Sequence, residues 1–242
     1  MTEPAETNEA QNPLTKPKFI ISAVVVALLV ALGLIFALTP RGSGTATPTT
    51  APNNSPTATN SQSDASSSAS VCGLPAGNQS KPATPPTDTT WELVGKVAAP
   101  TSPKQYGPGT TVADGLRSCF AHSPTGALYA AANVTTLSAI GKTRLVLENL
   151  AVPSPERDAL LGQPEPAPST DTAQLAGFAI RSYSSDQAVI DLAFRGANGA
   201  FVSIPVPLKW SGGDWKIIVP ATGSTGAGQI ADLTGYIPWA GV

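Results

Sequence analysis

The residue types best suited to chemistry lie in one short stretch of the chain. His122 is the only histidine, Ser123 follows it directly, and Cys119 precedes it by three positions. A histidine next to a hydroxyl or a thiol can act as the base that activates a nucleophile. We expect no catalysis here, because adjacent side chains rarely point at each other and Ser123 before Pro124 is typical of a helix N-cap. The sequence therefore predicts a protein that is not an enzyme.

Asp114, Arg117 and His122 are candidates for a polar cluster close to Cys119. A structural network is the interpretation that we favour, whereas an enzyme would need the three side chains to converge at an open cleft. One histidine and two cysteines in the whole chain are too few ligands for a zinc site. We predict no metal and no cofactor.

Residues 19–38 form an uninterrupted apolar segment, FIISAVVVALLVALGLIFAL, of the length that spans a bilayer core. Lys16 and Lys18 precede the segment and Arg41 follows it, so the balance of basic residues predicts a cytoplasmic N-terminus. A cleaved signal peptide is the alternative, but the preceding part is long and acidic for one, and no A-x-A cleavage site follows. We predict a single-pass cell-membrane protein with a signal-anchor in the lipid bilayer, a cytoplasmic tail of residues 1–18 and an extracytoplasmic C-terminal domain.

The stretch of residues 39–70 is rich in Ser, Thr, Pro and Gly and contains no aromatic residue. Such a composition cannot bury enough apolar surface to fold, so we predict a disordered tether. The whole chain carries 14 Lys and Arg against 16 Asp and Glu, a net charge of −2. This balance offers no long-range attraction to a phosphate backbone, and nucleic acid is therefore not an expected partner.

Cys72 and Cys119 are the only cysteines, and the predicted topology places both outside the cytoplasm, where disulfides persist. We predict that they pair. Closing so long a loop would stabilise the domain by roughly 3–4 kcal/mol in the chain-entropy model. The alternative, a redox-active dithiol, lacks the close C-x-x-C spacing of such sites.

Two Ser-Pro pairs predict helix starts within the domain of residues 71–242. Ser123-Pro124 begins a helix that runs to about Ile140, and Ser154-Pro155 begins a short helix that ends at Gly162. The first helix carries small residues on one face, which permits close packing against a sheet or another helix.

Alternating apolar residues predict four β-strands between Ala176 and Val219, joined by short turns. Asp191 and Arg195 are expected to point outward from the second strand. The stretch between Trp91 and Gly115 is rich in Pro and Gly and predicts an ordered loop. The predicted fold class is α+β, with helices packed on a four-stranded antiparallel meander.

Aromatic residues on the inner sheet face raise the question of a pocket. Phe178, Phe194 and Trp210 are expected there, where they line either a ligand pocket or, as the default interpretation, an ordinary core. The segment 223–228 would be the mobile flap of such a pocket. The C-terminal sequence YIPWAGV suggests that Trp239 is exposed as a docking patch.

One block of sequence resembles a known family. The run DGLRSCFAHSPTGALYAAAN of residues 114–133 follows a W-x-x-V-G start at Trp91 and a YGPG at residues 106–109. This pattern resembles an actinobacterial family of single-pass membrane proteins of unknown function, most specifically in the block FAHSPTGAL. The resemblance implies a short cytoplasmic tail, one anchor, a low-complexity tether and an exported domain, often encoded in integrative or conjugative elements. No catalytic residues carry over from the resemblance, because none is established for that family.

The order of elements, helices and then a meander, also resembles the cone-like nuclear-transport-factor-2-like fold. That fold occurs in extracytoplasmic domains of conjugation assembly proteins, and the likeness implies architecture more than function.

Together these features predict a non-enzymatic bitopic membrane protein whose extracytoplasmic domain contacts other membrane or secretion-apparatus proteins, as in a conjugative transfer apparatus. The alternatives are an extracytoplasmic small-ligand-binding module and a cell-envelope accessory subunit. The sequence leaves a homo-oligomer open.

Overall fold

The computed structural model of the chain describes residues 69–169, 173–221 and 226–241. All of these residues belong to one compact unit, Thr59–Val242. The predicted cytoplasmic tail, the predicted apolar span and nearly all of the predicted tether lie outside the described residues, as does half of the predicted flap, residues 223–225. Among the helices that are described, none combines the length and the apolar composition that crossing a membrane requires.

The described part of the chain is an α+β domain with three helices and a largely antiparallel sheet, as the sequence predicts in outline. The helices are α1 (Pro124–Ala139), α2 (Thr143–Leu150) and α3 (Pro155–Leu161). The strands are β1 (Thr90–Val94), β2 (Val97–Thr101), β3 (Thr110–Thr111), β4 (Arg117–Ser118), β5 (Ala173–Tyr183), β6 (Gln187–Gly196), β7 (Phe201–Ser211), β8 (Asp214–Ile217), β9 (Gly228–Ile230) and β10 (Ile237–Pro238).

The main sheet has six strands in the order β10-β5-β6-β7-β8, with β9 also pairing with β7. The predicted meander is present as β5 to β8, but the predicted number of four strands is wrong. The short strands β9 and β10 join this sheet, and β1-β2 and β3-β4 form two separate ladders. The predicted loop between Trp91 and Gly115 therefore contains a hairpin, whose strands are joined at Gly95 with a positive φ of 63°.

Both Ser-Pro pairs begin helices, as predicted. The Ser123 hydroxyl accepts a hydrogen bond from the Gly126 N–H at 3.0 Å, and the Ser154 hydroxyl accepts one from the Arg157 N–H at 3.2 Å. Position 126 requires glycine, because a Cβ at this position would collide with the Ala121 carbonyl. The first turn of α1 consequently packs directly against the chain that precedes it.

The core lies between α1 and the inner face of the main sheet. Leu128 and Tyr129 from α1 are fully buried, as are Phe178, Ile190 and Leu192 from β5 and β6. Removing each of these large side chains from water is worth about 1.5–3 kcal/mol. This shared apolar layer fixes the long helix across the sheet.

Trp239 lies inside this core rather than on the surface, so the prediction of an exposed docking patch is wrong. Its side chain is 4% exposed, and its ring lies 5.5 Å from Phe178 and 5.3 Å from Tyr129, measured between centroids. The reason is that the C-terminal segment returns as β10 beside β5, where the Trp239 N–H donates to the Ala176 carbonyl at 3.0 Å.

Asp191 projects from the outer sheet face, as predicted, yet it is buried. Its carboxylate accepts hydrogen bonds from Arg181 at 2.7 Å, Ser203 at 2.6 Å and Tyr236 at 2.8 Å. Burial raises the pKa of Asp191, but the hydrogen bonds from Ser203, Arg181 and Tyr236 outweigh this effect and hold its pKa below the usual value. The alternation of residues predicts the face but not the C-terminal segment that covers it.

Cys72 and Cys119 form a disulfide, with their Cα atoms 6.0 Å apart, in agreement with the prediction. The bond ties the start of the described chain to the segment just before α1. Because the two cysteines are 47 positions apart, the bond restricts a large loop in the unfolded chain.

We expect the double substitution C72S and C119S to lower the free energy of unfolding by roughly 3–4 kcal/mol, since it restores that loop's freedom in the unfolded state. Denaturant titration followed by tryptophan fluorescence measures the change. Adding reductant should shift the midpoint of the wild-type chain and leave that of the double variant unchanged. A reductant effect on both would contradict this explanation.

Candidate functional site

His122 is packed at the start of α1. Its ring stacks on Trp210 with centroids 3.9 Å apart and planes 6° apart, and its Nε2 donates to the Ser185 carbonyl at 2.6 Å. Ser123 serves as the helix N-cap, and Cys119 is bound in the disulfide. The three residues considered for nucleophilic chemistry therefore all have structural contacts.

Each member of the predicted polar cluster has its own partners. Asp114 is exposed in a turn, where its carboxylate accepts the Leu116 N–H at 2.9 Å. Arg117 is buried and donates to Asn133 at 2.7 Å and to Glu92 at 2.9 Å.

Arg117 also lies away from His122 along the helix. Its partner Asn133 is nine residues after Pro124, or about 14 Å along α1, whereas His122 lies before the first turn. The contacts of Asp114, Arg117 and His122 therefore stabilise the fold at separate places.

The three predicted aromatic residues occupy different places. Phe178 is fully buried in the core, and Trp210 is half-buried against His122. Phe194 lies beside a cavity, which is described below. They do not line a common pocket.

Asp214 is a buried carboxylate that the sequence analysis does not single out. Its oxygens accept backbone N–H groups of Cys119 at 2.7 Å, Phe120 at 2.8 Å and Trp215 at 2.9 Å. Cys119 is the one non-glycine residue in the described part of the chain with a positive φ, 65°. Burial raises the pKa of Asp214, while the three N–H donors oppose that rise. The carboxylate thus holds the strained chain that leads into α1.

A cavity of about 420 Å³ lies where the C-terminal half of α1 faces β7, β8 and the two short helices. Its walls are mainly apolar. They include Val134, Ala139, Leu147, Leu160, Ile204 and Val219. We call this cavity the first lobe.

A second cavity of about 480 Å³ adjoins the first on the side of the β1-β2 turn. Its walls include Lys96, Val97, Phe194 and Val202. Thr135, Ala139 and Ile204 line both cavities, so the two lie side by side along these residues. We call the two cavities together the groove, and the part beside Lys96 the second lobe.

The groove exists because the residues on its two long walls, α1 and β7, do not fill the space between them. Helix α1 presents the small side chains of Thr135, Ser138 and Ala139, which leave room above the sheet. On the opposite wall, β7 pairs with β9 over residues 201–203 and with β8 over residues 208–211, and its middle stretch lies between these two partners. Pro205 and Pro207 lie in that stretch and have no N–H for a ladder.

The chemical character of the groove suits binding. Among the described residues that line it, Lys96 is the only one with a titratable side chain, and the other polar side chains are hydroxyls of Ser and Thr. Such a lining offers no carboxylate, imidazole or thiol for acid-base or nucleophilic catalysis. Each lobe falls within the range of about 300–1,000 Å³ that is usual for small-ligand sites.

Fold and groove together define an α+β domain with an apolar space between its helices and its sheet. Residues 50–238 match the family described as domain of unknown function (DUF8175), and the chain belongs to that family. Comparisons with curated proteins and with solved structures found no match for the chain.

We expect the substitution D214N to lower the free energy of unfolding by about 1–3 kcal/mol, because an amide has one acceptor oxygen and its NH₂ would face a backbone donor. The matched control is D232N, since Asp232 is exposed and water can replace its hydrogen bonds from the Thr234 N–H and side chain. Denaturant titration of both variants checks the difference. Equal stability of the two variants would contradict the role given to Asp214.

The pH dependence of stability has a definite sign at this site. Because the pKa of Asp214 is raised in the folded state, the proton-linked part of its contribution to stability is present at low pH and is lost as the pH rises through the folded pKa. This part adds to the contribution of the three hydrogen bonds. D214N should therefore flatten this part of the stability profile, as measured by unfolding transitions over a series of pH values. An unchanged slope would show that another group causes it.

Proposed function

We propose that this protein is a non-enzymatic, membrane-anchored binding module whose groove holds an apolar guest outside the cytoplasm. The observation that carries the proposal is the pair of adjoining cavities between α1 and β7, with lobes of about 420 and 480 Å³. This corresponds to the small-ligand alternative of the sequence analysis, which requires a space larger than core packing leaves.

The size and lining of the groove distinguish it from a packing defect. Each lobe has a volume usual for a small-ligand site. Here two adjoining cavities are lined by Val, Leu, Ile, Phe and Pro side chains. Water gains little from such walls, so an apolar guest that displaces it would stabilise the domain.

The placement outside the membrane is part of the proposal. Support comes from the apolar sequence of residues 19–38 and from the Cys72–Cys119 disulfide, since disulfides persist in oxidising compartments. The helices on one face of an antiparallel sheet are in keeping with a cone-like, nuclear-transport-factor-2-like arrangement, which we include as the finer description of the fold.

A second candidate function is contact with other proteins of a conjugative transfer or secretion apparatus. The observation in its favour is the edge of β1, which in the described residues pairs only with β2 and carries Leu93 at 73% exposure. An exposed strand edge with an apolar side chain can accept a strand from a partner. The resemblance to proteins of integrative and conjugative elements suggests which partners to test.

Photolabelling tests the groove. The full-length chain in phospholipid nanodiscs is irradiated with dodecanol that carries a diazirine, and labelled peptides are identified by mass spectrometry. We expect labels in residues 134–139 and 204–207, in addition to the apolar segment 19–38, which serves as an internal reference. The substitution A139W fills the junction of the lobes and should reduce groove labelling to background.

Control variants separate occlusion of the groove from loss of folding. A159W adds the same side chain at an exposed position of α3 and should leave the labels unchanged. I204A enlarges the groove and should retain labelling, and the unfolding transition of each variant verifies folding. Labels confined to residues 19–38 in the wild-type chain would refute the proposed function.

A crosslinking pull-down from native membranes tests the second candidate. The intact chain should recover transfer-channel or coupling-ATPase subunits, while a chain lacking residues 72–242 should not. The substitution L93D should weaken recovery if β1 is the contact edge, because it places a charge on that edge. Recovery of background proteins alone would exclude this candidate.

A further inference from the structure

We propose that the guest of the groove is a single-chain amphiphile with one anionic headgroup, a long-chain carboxylate whose tail fills the lobes and whose headgroup lies at Lys96. This inference rests on the proposed binding function and adds the chemical class of the ligand. It follows from three features of the groove: the single cation in its lining, the partners that a nearby arginine already has, and its length.

Lys96 is the only charged residue among the described residues that line either lobe. It lies in the β1-β2 turn at the end of the second lobe. Gln174 fixes this turn, because its Nε2 donates to the Lys96 carbonyl at 2.7 Å and its Oε1 accepts the Ala98 N–H at 3.0 Å. A rigid turn therefore carries a flexible ammonium group at one end of an otherwise uncharged space.

No carboxylate of the described residues forms an ion pair with Lys96. The ion pairs found among the described residues are those of four arginines, Arg117, Arg144, Arg157 and Arg181. The Lys96 ammonium is thus available to an anionic group of a ligand, which makes the second lobe the end that would hold a headgroup.

Near the first lobe, Arg144 already has several partners. Arg144, next to Thr143 of the first lobe, donates to the carbonyls of Leu161 and Gln163 at 3.0 Å each. Its guanidinium also lies 3.8 Å from Glu165. No charged side chain lines the first lobe among the described residues, so the charge of the lining is confined to the second lobe.

The groove is long in one direction. It follows β7 from Val202 to Pro207, or about 17 Å at the rise of an extended strand. This length suits an extended alkyl chain, and the polarity of the two ends fixes its direction. A tail in the first lobe leaves the carboxylate beside Lys96.

The experiment compares two photoreactive probes of equal chain length, diazirine-bearing dodecanoate and dodecanol, on the full-length chain in nanodiscs of uncharged phosphatidylcholine. We expect K96M to raise the half-saturating concentration for groove labelling by dodecanoate about two- to fivefold, the effect of an exposed ion pair, and to leave that for dodecanol unchanged. K104M removes an exposed lysine outside the groove and should change neither value. Raising the salt concentration should weaken dodecanoate labelling of the wild-type chain more than that of K96M.

The outcomes separate this inference from the function on which it rests. If dodecanoate and dodecanol label the groove equally and K96M affects neither, the anionic headgroup is refuted while the apolar groove stands. If K96M weakens both probes alike, Lys96 acts through the shape of the turn and the inference is also refuted. If neither probe labels the groove, the proposed binding function itself fails.

Discussion

The position of α1 depends on one buried carboxylate. Asp214, at the start of β8, binds the backbone N–H groups of Cys119 and Phe120, and the neighbouring Trp215 donates from its indole to the Ala121 carbonyl at 3.0 Å. These bonds attach the segment before α1 to the β7-β8 hairpin. Since α1 forms one wall of the groove and β7 forms the other, the same bonds set the distance between the walls.

Much of the fold could be predicted because its signals are local. The Ser-Pro helix starts and the alternation of apolar residues in β5 to β8 follow from short sequence patterns. The pairing of the two cysteines follows instead from their number, because the chain has no third cysteine. The burial of Trp239 and Asp191 could not be predicted, because each depends on a C-terminal segment that returns to the sheet from far along the chain. Strands of two or three residues, such as β9 and β10, are too short to show any alternation.

The candidate site was largely hidden from sequence analysis for a similar reason. The groove arises where small residues of α1 face the proline-containing middle of β7, and neither segment alone indicates a cavity. Asp214 follows two glycines and resembles an ordinary turn residue until its three N–H partners are seen. The sequence predicts a face of small residues on α1 and, from it, close packing. In the structure these small residues also leave open space beside β7.

The central claim is that the space between α1 and β7 is a binding site held open by the fold. Hydrogen exchange of the full-length chain in nanodiscs, with and without dodecanoate, tests it most directly, because a guest in the groove must slow local opening of its walls. The account predicts slower exchange in residues 134–140 and 201–207 and little change near β10. Unchanged exchange in both walls at saturating dodecanoate would contradict it.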